Sequence, residues 1–144
     1  MYKEKYTSMK QYKSKLLFLI ILLSCFSGKV IGQNSTWAAP ASANSVKNPM
    51  KGDAEAVKKG KVIYQSMCAV CHGDKGKGNG VAGVTLSPTP ANFLSIRVRD
   101  ESDGAIFWKL TEGNPPMASY KTLLSETQRW QLVNYLRQLE LQTK

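Results

Sequence analysis

The stretch QSMCAVCHGDKGKGNG, residues 65–80, places two cysteines three apart, Cys68 and Cys71, and sets a histidine, His72, directly after them. His72 is the only histidine in 144 residues. A glycine- and lysine-rich run follows at once. A single imidazole joined to a closely spaced thiol pair marks the place where the chain does its chemistry.

The spacing C-x-x-C-H reads as a c-type haem attachment site. Two thiols one helical turn apart can reach the two vinyl groups on one edge of a porphyrin, each forming a thioether. The next residue then lies under the ring, where its imidazole can bind the iron. The expected cofactor is one covalent haem c, held by Cys68 and Cys71, with His72 as the proximal axial ligand to iron. Other uses of the thiols fit less well. Structural zinc takes four ligands, and beyond residue 32 the chain offers two Cys and one His. A thioredoxin-like redox pair belongs in a βαβ context, which the hydropathy pattern lacks. A plain disulfide is permitted in an oxidising compartment, yet it leaves the adjacent histidine unexplained.

With no second histidine, the distal ligand is sought among Met50, Met67 and Met117. Met67 precedes Cys68 on the attachment helix and falls on the wrong side of the ring. Met50 lies in or near an N-terminal tether. Met117 sits in GNPPMASY, a proline-stiffened loop far beyond His72. Methionine is more often core filler than ligand, but the stiff loop and the lack of rivals favour Met117, and His/Met ligation is the cytochrome c pattern. With both axial positions filled no site is open to a substrate. The expectation is an electron-transfer protein, not an enzyme.

The chain begins with five lysines and one glutamate in residues 1–15, then LLFLIILLSCF over residues 16–26, and Lys29. A basic start, a short apolar run and small residues predict a secretory signal peptide over 1–32. A spanning helix needs about 20 apolar residues, so an uncleaved anchor is the lesser reading. VIGQ places Val30 and Gly32 for cleavage before Gln33; LLSC resembles a lipobox with Cys25 as a lipidated cysteine. The expected location is the periplasm or the extracytoplasmic face of the cytoplasmic membrane. Membrane association would run through lipidated Cys25 or an uncleaved signal. The first 32 residues carry six Lys and one Glu, half of the formal net charge of +10. The moderate charge left argues against a nucleic-acid partner.

Residues 33–50, QNSTWAAPASANSVKNPM, are small, polar and proline-containing, and predict a flexible tether. One domain is expected over 51–144. Its first helix starts after Asp53 and ends near Cys68, with Val57, Gly60, Ile63, Tyr64 and Met67 on one face. GDKGKGNGVAGVTLSPTPANF reads as loop with at most a turn of helix. A short helix follows, capped by Ser102 or Asp103 and stopped by Gly113. In the last helix Ser125 and Gln128 form a capping box; Leu132, Val133, Leu136 and Leu139 make the apolar stripe, with Trp130 and Tyr135 on its flanks. The fold class is all-α. So few short helices bury little, and haem would supply the centre of the core.

Taken together, GKVIYQSMCAVCHGDKGKGNG, DGAIFWKLTEGNPPMASY and LSETQRWQLVNYLRQL resemble a monohaem class I cytochrome c over nearly the whole domain. The resemblance implies that the first and last helices cross, with Gly60 and Tyr64 meeting Leu132 and Tyr135. It also implies a proline carbonyl that accepts a hydrogen bond from the ligand imidazole, and both Pro88 and Pro90 qualify. The glycines of GDKGKGNG match no P-loop and read as a loop around the haem edge. Lys58, Lys59, Lys61, Lys75 and Lys77 bracket the attachment site, either as solvated surface or as a docking ring for an acidic redox partner. The expected partners are redox proteins, a donor reductase or dehydrogenase and an acceptor oxidase or reductase. Two further functions stay open: a cytochrome subunit of a larger oxidoreductase, and a five-coordinate gas-binding haem protein should Met117 not bind.

Overall fold

The computed structural model describes residues 37–141. A 3₁₀ turn, Ala41–Ser45, comes first. Five helices follow: α1 Ala54–Met67, α2 Ala69–His72, α3 Ile96–Arg99, α4 Asp103–Glu112 and α5 Glu126–Leu141. Among the described residues there is no strand, only an isolated antiparallel bridge between Asn114 and Met117. The all-α expectation holds. None of these helices is long and apolar enough to cross a membrane. The apolar run 16–26, Cys25 and the expected cleavage site at Gly32 lie outside the described residues.

Helix ends follow their caps. The Asp53 carboxylate accepts from the backbone N–H groups of Glu55 and Ala56, at 2.8 and 3.1 Å, satisfying donors that α1 leaves unpaired. Ser102 caps α4 through Ala105 N–H, and Gly113, at φ +70°, ends it. Ser125 and Gln128 close the capping box of α5 in both directions: Gln128 Oε1 accepts from Ser125 N–H, and Ser125 Oγ from Gln128 N–H.

The core lies where α1 crosses α5. Tyr64, Leu132 and Val133 are its fully buried side chains. Gly60 makes the crossing: a Cβ there would drive into the backbone carbonyl of Gln131 and against Tyr135. Glycine inside a helix costs about 1 kcal/mol relative to alanine, and here the missing side chain lets two backbones meet. One turn on, the rings of Tyr64 and Tyr135 pack with centroids 5.2 Å apart. Trp130 and Tyr135, expected on the flanks, are both buried: Tyr135 packs on Gly60 and Tyr64 of α1, and Trp130 stacks on Phe107 of α4 at 4.0 Å.

The tether expected over 33–50 is corrected from Trp37 onward, where the chain belongs to the same compact unit as the helices. Ala43 is buried against Gly104, whose hydrogen leaves room for the Ala43 carbonyl. Asn44 Oδ1 accepts from Ser102 Oγ at 2.8 Å, and Asn48 Nδ2 donates to Asp103 Oδ2 at 2.9 Å. Trp37 lies under the Lys109 ammonium, 5.3 Å from the ring centroid. The small polar residues that suggest a spacer instead fit the groove at the start of α4.

Candidate functional site

The thiol pair and the histidine sit where α1 breaks into α2. The backbone N–H of Cys68 still bonds Tyr64 O at 2.8 Å, and those of Cys71 and His72 both return to Cys68 O, at 3.1 and 2.8 Å. One tight turn thus carries all three groups. Both cysteines are free thiols, Cys68 buried and Cys71 half-buried. Burial, the largest influence, pushes the Cys68 thiol up to about 11.

His72 is buried and held on two sides. Its Nδ1 lies 3.1 Å from the carbonyl oxygen of Ala91. The Phe93 ring stacks on it with centroids 4.5 Å apart and 18° between planes. With Nδ1–H donating to Ala91, the lone pair sits on Nε2, the atom a metal would use. Burial pushes the His72 pKa below its ordinary value, which keeps the imidazole neutral. The acceptor corrects the expectation that Pro88 or Pro90 would serve. The chain presents the residue after Pro90, because the segment is clamped by Phe93 N–H to Gly76 O at 2.8 Å, which turns the Ala91 carbonyl inward. Residue types mark the proline segment but not which peptide in it faces the ring.

Met67, Phe93, Met117 and Tyr120 pack against the core while staying only partly buried. The Tyr120 hydroxyl lies 3.4 Å from the Met67 carbonyl, and its pKa is pushed up to about 12, chiefly by burial and then by the Cys68 sulfur. Tyr64 donates to the Gly73 carbonyl at 2.6 Å, tying α1 to the first residue after His72. Free thiols on one turn, a neutral imidazole with its metal-binding nitrogen unengaged by Ala91, and apolar side chains left half covered together fit a covalently attached haem. They fit zinc poorly, since no group of three or more His, Cys, Asp or Glu among the described residues could hold a metal ion.

The expected site residues therefore divide. Cys68, Cys71 and His72 come together on α2 and its cap. Met117 lies in the loop after α4, half-buried against the core, and exchanges backbone hydrogen bonds with Asn114 at 3.0 and 2.8 Å. Two residues escaped the sequence reading. Ala91 acts through its backbone, which no residue type advertises. Phe93 was legible only as an aromatic in a loop.

An all-α domain built on a C-x-x-C-H turn whose residues fit a covalently bound haem is a monohaem c-type cytochrome, and such a domain serves electron transfer. The family described as cytochrome c oxidase, cbb3-type, subunit III matches residues 55–136, and the chain belongs to it. No curated protein matches the chain. Among solved structures, a chain of the reducing HAO-like protein complex of Kuenenia stuttgartiensis is similar, with 25% identity and a TM-score of 0.56 over 65% of this chain. The alignment takes in 49% of that chain, so this protein spans about half of its length.

Proposed function

We propose that the protein is an exported one-electron carrier in which His72 and Met117 are the axial ligands of one haem c. The observation that carries this reading is the setting of His72: buried, fixed through Nδ1 by Ala91, and adjacent to two free thiols. Haem c supplies a single Fe(III)/Fe(II) couple. Cys68 and Cys71 anchor it, and the Ala91 carbonyl and the Phe93 ring orient the imidazole. The partly buried Met67, Phe93 and Tyr120 would limit water's access to the bound group. A thioether from Met117 favours Fe(II) and raises the potential. The basic, apolar N-terminus supports export.

Partner docking is the second part of the proposal. Beside the attachment turn is a surface cleft of about 630 Å³ lined by Gln65, Val70, Lys75, Lys77, Asn79 and Val81, among others. Val70, next to Cys71, and Val81 are exposed, at 51% and 85%. Two ammonium groups against the single carboxylate of Asp74, beside apolar side chains, leave the cleft basic, which suits an acidic redox protein. Of the other bracketing lysines, Lys58 is engaged with Glu55 at 2.7 Å.

A cytochrome subunit of a larger oxidoreductase is a second reading, supported by the family's description and by the structural likeness to a chain of a complex. Copurification with a partner would favour it over a free carrier. The ligand set is tested by spectra of the purified haem protein. Low-spin spectra in both oxidation states and a weak near-infrared charge-transfer band in the ferric state are expected, with the band lost in Met117→Ala. Ready carbon monoxide binding by the unaltered protein, unchanged in Met117→Ala, would instead mark a five-coordinate gas-binding protein.

A further inference from the structure

Arg129 belongs to the first turns of α5, yet it reaches back along the chain. Its Nη1 donates to the carbonyl oxygens of Leu124 at 2.7 Å and Lys121 at 3.2 Å. The guanidinium carbon lies 5.1 Å from the centroid of Phe107, whose ring stacks on Trp130. The residue is 8% exposed. No ion pair among the described residues involves it, and its Nε is buried with no hydrogen-bond partner.

A guanidinium withdrawn from water without a carboxylate is costly. The start of α5 does not need it, because Ser125 and Gln128 already cap that helix. What Arg129 holds, and the capping box does not, is the backbone of the turn 121–124. That turn ends the loop bearing Met117. Tyr120 fixes the loop at mid-length, its N–H donating to Leu110 O at 3.0 Å and its carbonyl accepting from Leu124 N–H at 3.0 Å. Nearer Met117, Ser119 Oγ donates to Thr111 O at 2.5 Å. From Thr111 to Arg129 the loop is thus pinned at its start, its middle and its end, and only the last pin is a buried charge.

We infer that Arg129 is the positioning residue for the Met117 loop: it clasps the turn 121–124 onto α5 and α4 and so holds the Met117 thioether in place over the metal. This rests on the reading of Met117 as sixth ligand. Lysine at this position keeps the charge but loses the planar guanidinium that lies against the Phe107 ring while its Nη1 reaches both carbonyls. Methionine keeps the length and loses both.

The test uses the haem-loaded full chain carrying Arg129→Lys or Arg129→Met. It follows the near-infrared charge-transfer band and the rate of cyanide binding to the ferric protein, with helix content by circular dichroism alongside. Cyanide entry waits on loop opening, so Arg129→Met should bind about tenfold faster or more, with much of the band lost and helix content kept. Arg129→Lys should fall between; if the Met variant fails to fold, the Lys variant carries the test alone. A lowered melting temperature with band and cyanide rate unchanged overturns the inference and leaves Arg129 a packing residue. Cyanide binding by Met117→Ala at the unaltered rate, with no band in the unaltered protein, overturns the ligand reading itself and the inference with it.

Discussion

The imidazole of His72 is bonded through Nδ1 to the carbonyl oxygen of Ala91 at 3.1 Å, and Phe93, two residues further on, stacks on the same ring. One short segment therefore sets both the tautomer and the tilt of the histidine. The carbonyl survives substitution, but the stacked ring does not. Phe93→Ala should leave haem attachment intact. It should destabilise the haem-loaded protein by about 2 kcal/mol, less than a full core truncation because the ring is only partly buried. Guanidinium unfolding followed at the haem absorption band measures it. A loss below about 0.5 kcal/mol, the usual level for surface changes, would mean the stack does not hold the ring.

Gly60→Ala tests the helix crossing. The added Cβ meets the Gln131 carbonyl, backbone that cannot rotate away, so α1 must shift from α5. Alanine's better helix propensity offers about 1 kcal/mol, and overpacking costs about 1–3 kcal/mol or more. The net sign should be destabilising. Gln65→Ala, exposed on the same helix, should change stability by less than about 0.5 kcal/mol. Equal melting temperatures for the two variants would contradict the close approach.

These two sites also mark how far the sequence could be read. The thiol–histidine turn, the Asp53 and Ser125 caps and the Gly60 face were legible because each depends on residue type at fixed spacing. The Ala91 carbonyl was not, since a backbone acceptor depends on how a glycine- and proline-rich loop folds back. Residues 37–50 misled for a related reason. Alanine and asparagine carry the same composition in a spacer as in a segment that fills the groove beside Gly104, and the difference lies in α4, more than fifty residues away. Trp130 looked peripheral on an isolated helical wheel, because the second covering layer, α4 with Phe107, is not part of that wheel.

Asp103 joins these parts electrostatically. It accepts from Arg137 Nε at 2.7 Å and from Asn48 Nδ2 at 2.9 Å. Burial raises its pKa, but the Asn48 bond and the Arg137 bond and charge outweigh this, leaving it below the ordinary carboxylate value. A depressed folded pKa adds stability above the unfolded value near 3.9, and that stability disappears as pH falls through the folded value. Asp103→Asn should cost about 1–2 kcal/mol at pH 7, and the gap to the unaltered protein should close below about pH 4. Melting temperatures at pH 7 and pH 3 measure it. A gap of the same size at both would assign the loss to shape and not charge. Amide exchange in residues 41–46 should quicken in the variant, since asparagine leaves one acceptor oxygen for the two donors, Asn48 Nδ2 and Arg137 Nε.

The last prediction concerns the charged rim beside the attachment turn. Lys75 and Lys77 line the cleft that Val70 and Val81 border. If they steer an acidic partner, reversing both charges should slow electron exchange with an acidic surface while leaving the haem site unchanged. A gold electrode coated with carboxylate-terminated alkanethiol provides such a surface of known chemistry. Exchange with it should slow as salt rises, because the screening length falls from about 10 Å at 0.1 M to about 3 Å at 1 M. Lys75→Glu with Lys77→Glu should reduce exchange at low salt by about tenfold or more, within the range that steering supplies, and flatten the salt dependence. A hydroxyl-terminated coating should show little difference between the two proteins. Matching absorption spectra would establish that the haem environment is untouched. Exchange indifferent to salt, or equal for both proteins on the carboxylate surface, would return the two lysines to ordinary solvated surface and move the search for the docking face elsewhere on the domain.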